Sequence, residues 1–236
     1  MKRALVFALL FAAATAHASI SGSWTADHRQ QEPSRIQMMM STRATSHFGD
    51  SMTLAELGLT DTQVDAAVTT PVQFSLRRDA GTVSFEGTFK RGDGAGHFTF
   101  TPNASYISQV RALGYTIEPR HSDRTQDDEL FGHTIIGVSM PYLRDMKALF
   151  AAASLREMVN ARAVGVTPEY VRDMRAMRVE IRTIRDATNM CAVGVTPEYV
   201  KQLAASGYTN LTARELMRLA AVGVDAEFIR KMSELH

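Results

Sequence analysis

The sequence predicts an α+β protein: an N-terminal antiparallel β-sheet or half-barrel domain, followed by a short, solenoid-like array of α-helical hairpin repeats. Two observations carry this. Between residues 72 and 100, apolar and polar side chains alternate with period two, the pattern of strands with one packed face. Further on, a nine-residue phrase recurs. IIGVSMPYL, AVGVTPEYV, AVGVTPEYV and AVGVDAEFI start at residues 135, 163, 192 and 221, 28 or 29 residues apart. Self-similarity at such a period marks stacked repeats.

Residues 1–18 read as a signal peptide. Lys2 and Arg3 supply the positive start, Ala4 to Ala14 is an apolar run too short to span a bilayer, and Ala16-His17-Ala18 is a small-x-small cleavage site. Cleavage after Ala18 predicts a periplasmic or secreted chain with no membrane span left. With 45% hydrophobic and 22% charged residues the chain can bury a core. A formal charge of +1 gives no reason to expect nucleic acid. Cys191 is the single cysteine, so no internal disulfide forms and packing must hold the fold. It aligns with Ala220 and with Arg162 in neighbouring repeats. That predicts partial exposure and slow disulfide-linked dimers under oxidation.

The β domain is expected over 19–102. Ser34 to Arg43 reads as a strand, although Met38-Met39-Met40 cannot all face one way. Thr60, with Gln63 three residues on, predicts a short helix over 61–67. Val72, Phe74 and Leu76, then Val83, Phe85 and Phe89, then Phe98 and Phe100 form the packed faces of a meander. Asp79-Ala80-Gly81 and Arg91-Gly92-Asp93-Gly94 supply its turns. Arg91-Gly92-Asp93 matches an adhesive tripeptide, but Gly and Asp are also what a tight turn requires. His28, His47 and His97 have no metal-ligand spacing.

The helical repeats are expected over 103–236, with units near 103–134, 135–162, 163–191 and 192–220 and a half-unit at 221–236. In the unit 192–220, Thr196 caps a helix, Pro197 takes its first position and Glu198 meets the helix dipole. Gly207 ends it, and Thr212 with Glu215 forms a capping box for a second helix. Ser154 with Glu157 and Thr183 with Asp186 repeat that box. Tyr106, Tyr142, Tyr170, Tyr199 and Phe228 share one aromatic position, read as core. The array is expected to begin at Thr101-Pro102, with an insertion in its first unit at Glu118 to Asp127. His133, at a position held elsewhere by Leu219 and Met190, reads as a packed histidine.

The unit 163–191 departs from the pattern, with Arg178 where glycine is expected and Arg182 at the Leu211 position. Either the hairpin survives or its helices fuse into one; the conserved repeat length favours the hairpin. Arg172, Arg175, Arg178, Arg182 and Arg185 are the candidate partner surface, and acids beside them supply the alternative of a solvated face. No zinc, nucleophile-elbow or phosphate-loop motif is present, so no catalytic, metal or cofactor residues are expected.

At GVTPEYVRDM (165–174) and GVTPEYVKQL with SGYTNLTARELMRL (194–219), the chain resembles a family of bacterial helical repeats. Such repeats occur in exported proteins and behind membrane metallopeptidases of the beta-lactam-sensor type. The block FSLRRDAGTVSFEGTFKRGDGAGHFTFTPN (74–103) is similar to the β segment that leads into them. The resemblance implies bacterial origin and export; the metallopeptidase's zinc motif and membrane helices are absent, so protease activity is not implied. The expected function is a non-enzymatic interaction or scaffold protein acting on another envelope or extracellular protein through the repeats. The alternative is an envelope sensor or stress accessory binding a cell-wall or small-molecule ligand in the β domain, and a hydrolase with a scattered site ranks below both.

Overall fold

The computed structural model describes residues 20–28, 32–42 and 47–224. The expected signal peptide, Phe228 and most of the half-unit at 221–236 lie outside the described residues. The architecture is α+β. Six strands, β1 (Ile20–Asp27), β2 (Arg35–Thr42), β3 (His47–Thr53), β4 (Thr70–Arg78), β5 (Gly81–Lys90) and β6 (Asp93–Pro102), form one antiparallel half-barrel sheet in the order β3-β2-β1-β6-β5-β4. Two three-stranded meanders are thus joined by a long-range pairing of β1 with β6, which sets Trp24 opposite Gly96. Two short helices, α1 (Leu54–Leu57) and α2 (Asp61–Val64), sit between β3 and β4. Eight more follow the sheet: α3 (Ala104–Ala112), α4 (Gln126–Ile136), α5 (Met140–Leu149), α6 (Leu155–Ala163), α7 (Pro168–Ala176), α8 (Ile184–Ala192), α9 (Pro197–Ala205) and α10 (Ala213–Ala221).

The alternation translates directly into burial. Val72, Phe74, Leu76, Val83, Phe85, Phe89, Phe98 and Phe100 are all buried on one side of the sheet. In the methionine run, Met38 and Met40 point inward and Met39 is 46% exposed. At the β5–β6 turn, Arg91 and Gly92 take φ of 54° and 91°, the left-handed pair whose twist suits a two-residue hairpin. That turn is also tied down: the Arg91 and Gly92 N–H groups donate to the Ala66 and Val64 carbonyls, and Gly92 accepts from His28 N–H. Arg91-Gly92-Asp93 therefore does a turn's work.

The concave face of the sheet is filled. Trp24 packs edge-on to Phe74 at 5.3 Å and tilted against Phe89 at 5.5 Å, while Phe74 and Phe85 stack at 4.7 Å. Helix α4 closes the other end: Phe131 lies flat on Phe98 at 5.2 Å and edge-on to Phe48 at 5.0 Å. One hydrophobic cluster consequently runs from the strands into the helices. The C-terminal end of α4 is held by charge. Arg78, on β4, donates to the Thr134 and Ile135 carbonyls and pairs with Glu56 on α1 at 2.8 Å; Arg162, on α6, donates to the Gly137 carbonyl at 3.1 Å. Cations at a helix C-terminus meet the negative end of its dipole and its unpaired carbonyls.

The helices start where capping chemistry places them. Ser139, Thr167 and Thr196 cap α5, α7 and α9 with proline in the first turn, and Ser154/Glu157, Thr183/Asp186 and Thr212/Glu215 form the three expected capping boxes. A fourth, Thr125/Asp128, opens α4 after the insertion. The start expected at Thr101-Pro102 is displaced: these residues end β6, and Asn103 caps α3. Helices α7 and α8 are separate, and Arg178 takes the left-handed φ of 64° that glycine takes at 114 and 207. Along the chain α3, α5, α7 and α9 contact one another in succession, as do α4, α6, α8 and α10. The recurring tyrosines join the succession through their hydroxyls: Tyr170 donates to the Val195 carbonyl at 2.8 Å and Tyr199 to that of Val224 at 2.7 Å.

Candidate functional site

The strongest candidate site appears when the loops between the two helices of each unit are compared. In the first unit, Tyr115 leaves the helix end and Lys147 of α5 covers its ring at 5.1 Å, donating to the Leu113 carbonyl. In the second, Phe150 holds that place and Arg175 of α7 covers it at 4.9 Å. Each slot between one loop and the next helix is thus filled by an aromatic ring under a cation, an arrangement worth about 0.5–2 kcal/mol. Lys147 and Arg175 each lie five residues beyond the recurring tyrosine of their helix; the same step from Tyr199 reaches Ala204. The ring position, occupied by Tyr115, falls on Val179 in the third unit. Ring and cation are both missing there, and a cleft of about 700 Å³ opens in their place.

The floor of this groove is apolar, made by Met177, Val179, Val200, Ala204, Leu211 and Leu216. Its rim carries Arg178, Lys201 and Arg214, all exposed, their side chains without a hydrogen-bond or ion-pair partner among the described residues. The one acid on the rim, Glu180, is already paired with Arg182 at 2.7 Å. Tyr208 stands at the edge, 47% exposed. Arg178 lines the groove from a left-handed backbone, at φ 64°. That conformation costs a residue with a β-carbon about 1 kcal/mol relative to glycine.

The five arginines expected to form one surface divide. Arg172 bridges Asp145 at 2.9 Å and Glu169 at 3.2 Å, Arg182 pairs with Glu180, and Arg185 lies 3.5 Å from Glu157. Arg175 is spent on Phe150 and on the Ile181 carbonyl. Of the five, only Arg178 lines the groove. A single stripe would need one unbroken helix, and the chain turns at Arg178 instead. Lys201 and Arg214 were missed because charge alone does not mark them; the signal was the loss of ring and cation at Val179 and Ala204.

The other singled-out residues have local roles. His28 is buried, with Asp65 at 2.9 Å on Nδ1 and the Pro33 carbonyl at 2.9 Å on Nε2. Burial alone would lower its pKa, but Asp65 and Pro33 outweigh that and leave it raised. His97 is exposed on the opposite, convex face of the sheet. No group of three or more His, Cys, Asp or Glu among the described residues could hold a metal ion. Cys191 is half-buried, its Sγ donates to the Val164 carbonyl at 3.1 Å, and burial pushes its pKa up. A thiol held in the neutral form is a slow nucleophile. No helix among the described residues is long and apolar enough to cross a membrane. No family model, no curated protein and no solved structure matches the chain.

Proposed function

We propose that the chain is an exported, non-enzymatic interaction protein. Its hairpins act as a short solenoid, and the groove between the third and fourth units takes an extended segment of another envelope or extracellular protein. The observation that supports this is the lost ring-and-cation filling at Val179 and Ala204. Where the earlier slots carry their own aromatic side chain, this one has room for a partner's. Three unpaired cations on the rim specify the rest of the occupant: acidic residues beside the aromatic anchor. The expected ligand is a short acidic segment carrying one Phe, Tyr or Trp, and burying that ring contributes about 1.5–3 kcal/mol.

The test is a panel of labelled acidic peptides with one central aromatic residue, read by fluorescence anisotropy. Replacing the aromatic by alanine, or the acids by lysines, should weaken binding at least about tenfold, the equivalent of 1.4 kcal/mol. The double variant Val179→Phe/Ala204→Arg rebuilds the filling of the earlier slots. It should keep the fold and lose the peptide to the same degree. Equal affinity for the alanine peptide, unchanged binding by the refilled variant, or no saturable binding across the panel would overturn the proposal.

A further inference from the structure

A second, smaller cavity of about 310 Å³ lies where the chain leaves α3 and enters the insertion of the first unit. Residues 114–118 and Arg120 line one part of it, and Glu129 and His133 of α4 with residues at the start of α6 line the rest. His133 lines it and is only 3% exposed. The Nδ1 atom of His133 lies 3.2 Å from the Tyr106 hydroxyl; Tyr106 is fully buried, and its hydroxyl has no other hydrogen-bond partner among the described residues. A buried O–H must donate to something, so it donates to Nδ1. The imidazole is thereby held as the tautomer that carries its proton on Nε2. Burial, with Arg120 nearby, lowers its pKa to about 4, so at neutral pH the ring is uncharged and Nε2–H is a fixed donor.

That donor has no partner among the described residues. Nor is it sealed in: the sealed side-chain polar atom left unpaired among the described residues is Thr42 Oγ1. A side chain so nearly buried, with one nitrogen oriented from behind and the other open to a cavity, is arranged to receive an acceptor. The charges around it narrow the choice. Glu129 takes both the backbone N–H and Nε of Arg120, at 3.0 and 3.1 Å, so this pair is internally neutral, and Arg120 Nη1 donates to Asn160 Oδ1 at 3.4 Å. Arg156 lines the cavity, exposed and without an ion-pair partner among the described residues. Ile117, Leu155 and Val159 give an apolar wall.

We infer that this cavity is a binding site for a small monocarboxylate with a short apolar tail, its oxygens on His133 Nε2–H and Arg156 and its tail against Ile117, Leu155 and Val159. Glu118, at the exposed rim, raises the cost of a second negative charge. A dianion such as phosphate is therefore disfavoured relative to a carboxylate. The site is independent of the groove, and either can fail without the other.

Butyrate is the probe, with butyramide as its neutral isostere. Followed by the His133 imidazole resonances of the whole chain, butyrate should saturate with a dissociation constant on the order of 1 mM, about what so few atoms can supply. Butyramide should bind at least about tenfold more weakly. Arg156→Gln, on the surface and away from the core, should weaken butyrate by a similar factor with an unchanged unfolding midpoint; His133→Phe should remove binding, and Arg156→Gln keeps the test open if that variant misfolds. Equal affinity for acid and amide, no saturation with butyrate, or full binding by Arg156→Gln would overturn the inference and leave a hydrated cavity.

Discussion

Phe131→Ala should cost about 3–5 kcal/mol, the usual loss for truncating a buried aromatic ring. The ring is flat against Phe98, edge-on to Phe48 and 5.4 Å from Phe100, so its removal leaves a hole bounded by sheet on one side and α4 on the other. Typical domains are stable by about 5–15 kcal/mol, so this one substitution removes a large share. Its second effect is more telling. Trp24, the single tryptophan, reports the sheet, and circular dichroism at 222 nm reports mainly the helices. In urea both signals should move together to lower midpoints in the variant, because Phe131 belongs to one core shared by strands and helices. A tryptophan transition that shifts while the helical one stays in place would show that α4 does not couple the two.

Gly96→Ala should be nearly as damaging, at about 3 kcal/mol, the upper end for forcing atoms into a packed site. A β-carbon on Gly96 would fall 2.0 Å from the Glu86 carbonyl oxygen and 2.6 Å from the Gly87 Cα. Glycine faces glycine across β5 and β6 here, and the Trp24 indole lies over the pair. Its N–H is shared between the Glu86 and His97 carbonyls, 3.1 Å from each. Any side chain would push the strands apart and strip the indole of both acceptors. Gly132→Ala is the contrast, since its nearest neighbour would be Phe48 Cε1 at an ordinary 3.8 Å. In the middle of α4 that change should stabilise by about 0.8–1 kcal/mol. Urea midpoints moving in opposite directions for the two variants is the expected result; a tolerated Gly96→Ala would mean that β5 and β6 can separate at no cost.

Local chemistry was legible in the chain wherever it repeats or alternates. Val72, Phe74 and Leu76 announced a packed face, and Ser154 with Glu157 announced a helix start. Met39 had to turn away from Met38 and Met40 by geometry alone. What stayed hidden were choices made at long range. Residues 47–53 have no alternation, so β3 forms because β2 offers it a partner, and α1 follows from the turn that β3 requires. Nothing in α4 says that Phe131 will fill a half-barrel instead of stacking only on its neighbouring helices. The groove was harder still, being made by small side chains at positions filled elsewhere. Val179 and Ala204 carry no signal by themselves; they become one only beside Tyr115 and Lys147, or Phe150 and Arg175. The cavity beside His133 rests on its pairing with Tyr106, 27 residues away on another helix, which no motif spells out.

The tyrosine hydroxyls have a mechanical consequence. Tyr170 grips the carbonyl of Val195 and Tyr199 that of Val224, both at the next copy of the repeated phrase, while Tyr142 reaches forward only to Met158. The succession therefore has a direction, like overlapping roof tiles. A load applied near Val224 meets the Tyr199 clasp first and the Tyr170 clasp only after it. Tension from that side should release the Tyr199 clasp before the Tyr170 clasp, each release lengthening the chain by about 100 Å for roughly 29 residues. The sheet, with Phe131 wedged in it, should yield last.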